Sequence, residues 1–149
     1  GSKIKYIAVS DFNNKHGNYL REKYKDCNID FLGPIYDLDI VNALRYFSKI
    51  YFHGHTVGGT NPSLVEAMAA ESFIVSHNNV FNRSVLAEDS IYFDNEEQIS
   101  NIINNFDLHS EKMNNYKRNN LQKVKEKYMW DQIINDYFNF MKDIYNQSV

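Results

Sequence analysis

The chain is poor in the residues that staple or punctuate a fold. It holds a single cysteine, two prolines, six glycines and one tryptophan in 149 residues. One cysteine excludes an internal disulfide and any multi-cysteine zinc site, and makes a reduced, cytoplasmic compartment the expectation. Cys27 has Asp26 beside it and no cation or histidine to lower its pKa, so it reads as an unreactive thiol. Apolar runs never exceed a few residues, too short to span a bilayer. A basic excess is missing too. Lys+Arg 16 against Asp+Glu 19 gives a formal charge of −3, which leaves nothing to hold a nucleic-acid backbone by counterion release. No signal peptide opens the chain, Gly1-Ser2 reads as a cloning scar, and there is no internal repeat.

What is present is globular in character. Hydrophobic residues make up 43% and aromatics 15%, too rich for a disordered segment. The length suits one domain over residues 1–149, burying roughly two thirds of its unfolded surface. Asparagine occurs 20 times, alongside many Lys, Ile and Tyr. The asparagines are scattered through periodic apolar segments, unlike a prion-like tract, and fit the codon bias of an AT-rich genome.

Apolar periodicity predicts alternating strands and helices. Strands are expected at 3–10, 29–33, 49–54, 72–76 and 90–93. Helices are expected at 18–26, 37–47, 62–70 and 82–87, with a polar turn over 11–17. After residue 93 only helical patterns remain, at 95–106, 110–127 and 130–146. This alternation implies an α/β fold: a Rossmann-like parallel sheet with helices on both faces. Such sheets bind ligands at the carboxyl ends of their strands. That directs attention to the loops at 11–17, 34–37, 54–62 and 77–82.

The segment from Gly54 to Glu66 is the most informative of these. Gly58 and Gly59 let the backbone bend tightly and approach a ligand closely. Pro62 suits the first turn of a helix and Asn61 its N-cap. The amides from Gly59 to Ser63 would then sit at the positive end of a helix dipole, a place for a phosphate or diphosphate. Glu66, four residues into that helix, could accept two hydroxyl hydrogen bonds, as from a ribose diol. An ordinary glycine loop followed by a solvated glutamate is the plainer alternative.

The run His53-Gly54-His55-Thr56-Val57-Gly58-Gly59-Thr60-Asn61-Pro62-Ser63-Leu64-Val65-Glu66-Ala67-Met68-Ala69 resembles the donor-binding loop and helix of the family-four retaining glycosyltransferases. Gly-Gly-Thr-Asn-Pro-Ser with its following Glu is similar to a bacterial rhamnosyltransferase-like branch. Phe31-Leu32-Gly33-Pro34-Ile35-Tyr36-Asp37 resembles the family's base-pocket loop. Phe73-Ile74-Val75-Ser76-His77-Asn78 and Asn82-Arg83-Ser84-Val85-Leu86 resemble its next strand and turn. The likeness extends from about Ile4 to Phe93, with residues 95–149 compatible as C-terminal helices.

The resemblance implies the C-terminal half of a GT-B fold, binding a nucleotide-diphosphate sugar. Glu66 would hold the ribose hydroxyls. The amides around Thr60, Asn61, Ser63 and Leu64 would face the diphosphate, with Gly58 and Gly59 in the loop. Pro34 and Ile35 would border the base, and His55 and Thr56 would approach the sugar. The arrangement requires neither metal nor cofactor, and no catalytic residue is assigned.

Two departures accompany the likeness. The family usually carries a second Glu eight residues before the ribose Glu, where this chain has Gly58. The family's first strand-helix unit, with its Gly-Arg loop and Lys, is missing, as is the N-terminal acceptor domain. A sheet without that central strand is expected to have a gap, borrow a strand or rearrange.

The implied enzyme transfers a hexose, or a deoxyhexose such as rhamnose, to a polysaccharide or glycolipid acceptor in polysaccharide biosynthesis. No turnover is expected from this chain alone. A non-catalytic nucleotide-binding or interaction module and a sugar-nucleotide epimerase are the alternatives.

His53 and His55 form an H-x-H pair with no third metal ligand at sensible spacing, so a loop-anchoring or sugar-contacting role ranks ahead of zinc. Arg83 reads equally as a phosphate neutraliser or a helix cap. Lys112, Lys117, Arg118, Lys123, Lys125 and Lys127 make 110–127 basic. That is a solvated face, or a patch for anionic lipid on the inner face of the cell membrane. Trp130, Ile133, Ile134, Tyr137, Phe138, Met141, Ile144 and Tyr145 recur at helical spacing. They form a stripe for the core or, if exposed, for self-association.

Overall fold

The computed structural model describes residues 4–147. It is an α/β structure built on parallel sheets flanked by helices. The chain divides into two compact units, the first running to Val41 and the second starting at Asn42.

In the first unit β1 (Tyr6–Val9) pairs in parallel with β2 (Ile29–Leu32), Tyr6 opposite Ile29 and Val9 opposite Leu32. Parallel neighbours need a crossover, and α1 (Lys15–Lys23) supplies it. This helix begins three residues earlier than the apolar pattern suggests. Asn14 caps it by accepting a hydrogen bond from the Gly17 N–H at 2.8 Å. Gly17, read from sequence as part of a turn, is buried in the first helical turn. A Cβ there would lie 2.3 Å from the Phe12 carbonyl oxygen, so only glycine lets the helix start against that backbone. The Phe12 ring meets Phe31 edge-on at 5.2 Å. The helix α2 (Leu38–Phe47) runs across the division between the units.

In the second unit β3 (Tyr51–His53), β4 (Ile74–His77) and β5 (Ile91–Phe93) form a parallel sheet in the order β3-β4-β5. Tyr51 stands opposite Ile74, and Val75 opposite Ile91. The crossovers are α3 (Pro62–Ala69) and α4 (Val80–Leu86). The latter starts two residues ahead of the expected position, because the Asn79 side chain accepts from the Asn82 N–H. The strands form two sheets, of two and three strands, a gap being one of the outcomes expected where the first strand-helix unit is missing.

The central strand β4 is buried on both faces, the usual state of a parallel strand. Ile74 packs with Leu64, Ala67, Met68, Val85, Leu86 and Val124. Its neighbour Val75 points the other way, into a cluster with Phe73, Phe93 and Ile102. Three helices follow β5: α5 (Glu96–Asn104), α6 (Ser110–Lys127) and α7 (Trp130–Gln147), with a 3-10 turn at Phe106–His109.

Helix α6 closes the turn between α4 and β5. Ala87 there has φ 50° and ψ −121°. Lys123 donates to the Leu86 carbonyl and pairs with Asp89 at 2.6 Å. Asn120, fully buried, donates to the Asp89 carbonyl at 2.8 Å. Helix α7 buries none of its described side chains.

Candidate functional site

In a parallel sheet all strands end on the same side, so the tips of β3 and β4 share one edge with the loop that follows β3. Successive side chains on a strand alternate faces. Tyr51, His53 and His55 therefore line one face as a ladder of rings, with centroids 6.3 Å and then 4.7 Å apart. The Tyr51 hydroxyl donates to the Ser63 carbonyl at 3.4 Å, which puts this ladder beneath the first turn of α3.

His53 is buried, and its Nε2 has no hydrogen-bond partner among the described residues. Burial, and then the neighbouring His55, lower its pKa from the ordinary 6.5 to about 4. At neutral pH it is an uncharged imidazole.

The base of the loop is pinned by two asparagines. The His55 carbonyl accepts from Asn79 Nδ2 at 2.9 Å and from Asn82 Nδ2 at 3.1 Å. Asn82, itself buried, also reaches the His77 carbonyl at 2.9 Å. These bonds fasten the exit of β3 to the exit of β4 and the start of α4.

Beyond His55 the loop is exposed through Thr60. Gly58 has φ +116°, a conformation that side chains rarely adopt. A side chain at this position would strain the loop in this shape. Asn61 caps α3, its Oδ1 accepting from the Ser63 N–H at 3.0 Å and the Ser63 hydroxyl at 2.8 Å. The Leu64 N–H is bonded to the Asn61 carbonyl at 3.0 Å. Two of the amides expected to face a diphosphate, those of Ser63 and Leu64, are therefore already engaged. The N–H groups of Gly59, Thr60 and Asn61 have no hydrogen-bond partner among the described residues.

Glu66 projects from α3 with its side chain half exposed, and Arg45 of α2 holds it. Arg45 Nη2 lies 2.7 Å from Glu66 Oε2, and the Arg45 side chain as a whole is almost buried. Glu66 Oε1 takes no bond among the described residues. One carboxylate oxygen is anchored, and the other is open to a hydroxyl donor.

The residues from His55 to Glu66 all belong to the second unit. Pro34 and Ile35 lie in the first, just after β2, Pro34 exposed and Ile35 half-buried. Arg83 is engaged elsewhere, donating to Asn78 Oδ1 at 2.6 Å with its guanidinium 4.2 Å from the Tyr92 ring centre. Among the described residues there is no group of three or more His, Cys, Asp or Glu side chains that could hold a metal ion.

Sequence reading missed Arg45 as a partner of Glu66, and it missed the asparagine clamp. Arg45 sits 21 positions before Glu66, and nothing in the spacing signals the pairing. Asn79 carried a usable signal for the helix start, because asparagine is a favoured N-cap, but the reach of Asn79 and Asn82 back to the His55 carbonyl spans 24 and 27 positions and had none.

No family model matches the chain. No curated protein matches it either. Among the described residues no helix is long and apolar enough to cross a membrane.

Proposed function

We propose that the chain is the nucleotide-sugar-binding domain of a retaining glycosyltransferase. The full enzyme transfers a hexose or deoxyhexose from a nucleotide-diphosphate donor to a polysaccharide or glycolipid acceptor, working in the cytoplasm at the inner face of the membrane. The acceptor is held by a further domain, and the isolated chain binds donor without turnover.

The observation that carries this reading is Glu66. Arg45 fixes one of its oxygens and leaves the other accessible, one turn behind a loop with open amides at Gly59, Thr60 and Asn61. A carboxylate held this way keeps its orientation, as recognition of a vicinal diol demands. Oriented N–H groups at the start of a helix oppose the charge that grows on a departing diphosphate. The cluster at the strand tips serves as scaffold, since Asn79 and Asn82 keep the root of the loop in place.

Thermal-shift titration with ADP, GDP, UDP and the matching monophosphates tests the reading. A stabilisation that needs the diphosphate, and that Glu66→Gln abolishes, supports it. Glu66→Gln keeps an oxygen for Arg45, so loss of binding is separable from loss of the pair. No stabilisation by any nucleotide overturns the reading. A non-catalytic interaction module is the second reading, and the uncovered apolar side chains of α7 favour it.

A further inference from the structure

Helix α7 has a surface that nothing in the described chain covers. Trp130, Ile134, Tyr137, Phe138, Met141 and Tyr145 are each between 60% and 75% exposed. At about 100° per residue they fall within an arc of roughly 100°, one continuous apolar face. With about 200 Å² for a large side chain, two-thirds exposure of six gives roughly 800 Å². One partner contributes about that much to a stable protein interface. The opposite face carries Asp136 and Asp143 among asparagines, and the only basic residue of the helix is Lys142. Anionic lipid, which favours helices with Lys/Arg on the polar face, is a poor match.

We infer that α7 pairs with α7 of a second copy of this chain, antiparallel, about a twofold axis between Tyr137 and Phe138. The spacing of these six side chains reads the same in both directions: four, three, one, three, four. A twofold interface requires such self-complementarity, because each residue meets its counterpart twice. Antiparallel pairing sets Trp130 level with the other copy's Tyr145, Ile134 with its Met141, and Tyr137 with its Phe138.

The flanks of the stripe select the direction. Helical periodicity places Asp131 and Lys142 along one flank, and Ile133 and Phe140 along the other. In an antiparallel pair like flanks meet. Asp131 of each copy then lies within two residues of the level of Lys142 in the other, making two ion pairs, while Ile133 meets Phe140. A parallel pair would set the charged flank against the apolar one. Antiparallel packing also opposes the two helix dipoles favourably. This pairing does not depend on the sugar-nucleotide reading.

The full chain is measured by sedimentation velocity over a wide concentration range, with far-UV circular dichroism as the folding control. Trp130, the only tryptophan, reports on the interface through its emission. A concentration-dependent dimer with blue-shifted emission is expected. Met141→Glu, on a helix that buries no described side chain, is expected to keep the helix content and raise the dimer dissociation constant at least ~30-fold. Asp131→Lys and Lys142→Asp, each weakened alone by like charges, are expected to associate when mixed, because every crossed pair is then opposite in sign. A monomer at every concentration overturns the inference. So do a dimer indifferent to Met141→Glu, charge variants that stay apart on mixing, and recruitment to phosphatidylglycerol vesicles in place of dimerisation.

Discussion

Acidification should destabilise the second unit through one residue, His53, and replacing that residue should remove the effect. In the folded chain His53 takes a proton only near pH 4, against 6.5 for an ordinary histidine. Between those values the unfolded chain binds more protons, so stability falls as pH falls from about 6.5 to about 4 and is then level with respect to this group. From pH 7 to pH 5 the loss from His53 alone comes to about 2 kcal/mol. With a urea slope of about 2 kcal/mol per molar, the midpoint should drop by about 1 M. The informative variant is His53→Phe. Its ring fills a similar space, and Nε2 leaves no partner behind because it has none. At pH 7 the variant should be as stable as the parent or more so, since an unsatisfied buried polar atom costs about 1–3 kcal/mol. Urea denaturation followed by circular dichroism at pH 7 and pH 5 reads both effects. Equal midpoint shifts in parent and variant would refute the assignment of the acid sensitivity to His53.

Asn61→Ala should lower stability by about 1 kcal/mol in urea denaturation, since it removes the cap from the Ser63 N–H. Ala87→Gly should raise the stability by about 1 kcal/mol, because Ala87 holds φ 50° at a position where glycine carries no Cβ penalty. A lowered melting temperature for Ala87→Gly would mean the turn takes another shape in solution.

The order of strands and helices was legible from apolar periodicity, as was the helix start at Asn61-Pro62, because both depend on near neighbours in sequence. Gly17 was not. A glycine in a polar stretch looks like a turn, and only the fold shows the Phe12 backbone pressed against it. The division into two sheets was foreseen only as one of several outcomes, because strand pairing is decided by partners distant in sequence. At the candidate site, the glycine loop and the helix that carries Glu66 were readable. The Arg45 contact and the isolated Nε2 of His53 were not, since both arise from packing. The stripe on α7 was readable as a stripe. Whether such a stripe is covered depends on what the rest of the chain places over it, and here most of its side chains are exposed.

The clamp that Asn120 and Lys123 place on the turn after α4 has a consequence during synthesis. The carbonyls they hold belong to residues 31 and 37 positions earlier. A nascent polypeptide that has cleared the ribosome only through β5 has the Tyr92 hydroxyl on the Ala87 carbonyl, but it lacks both of these side chains until helix α6 emerges. Truncations that stop short of residue 120 should therefore behave as arrested folding intermediates rather than as smaller native proteins.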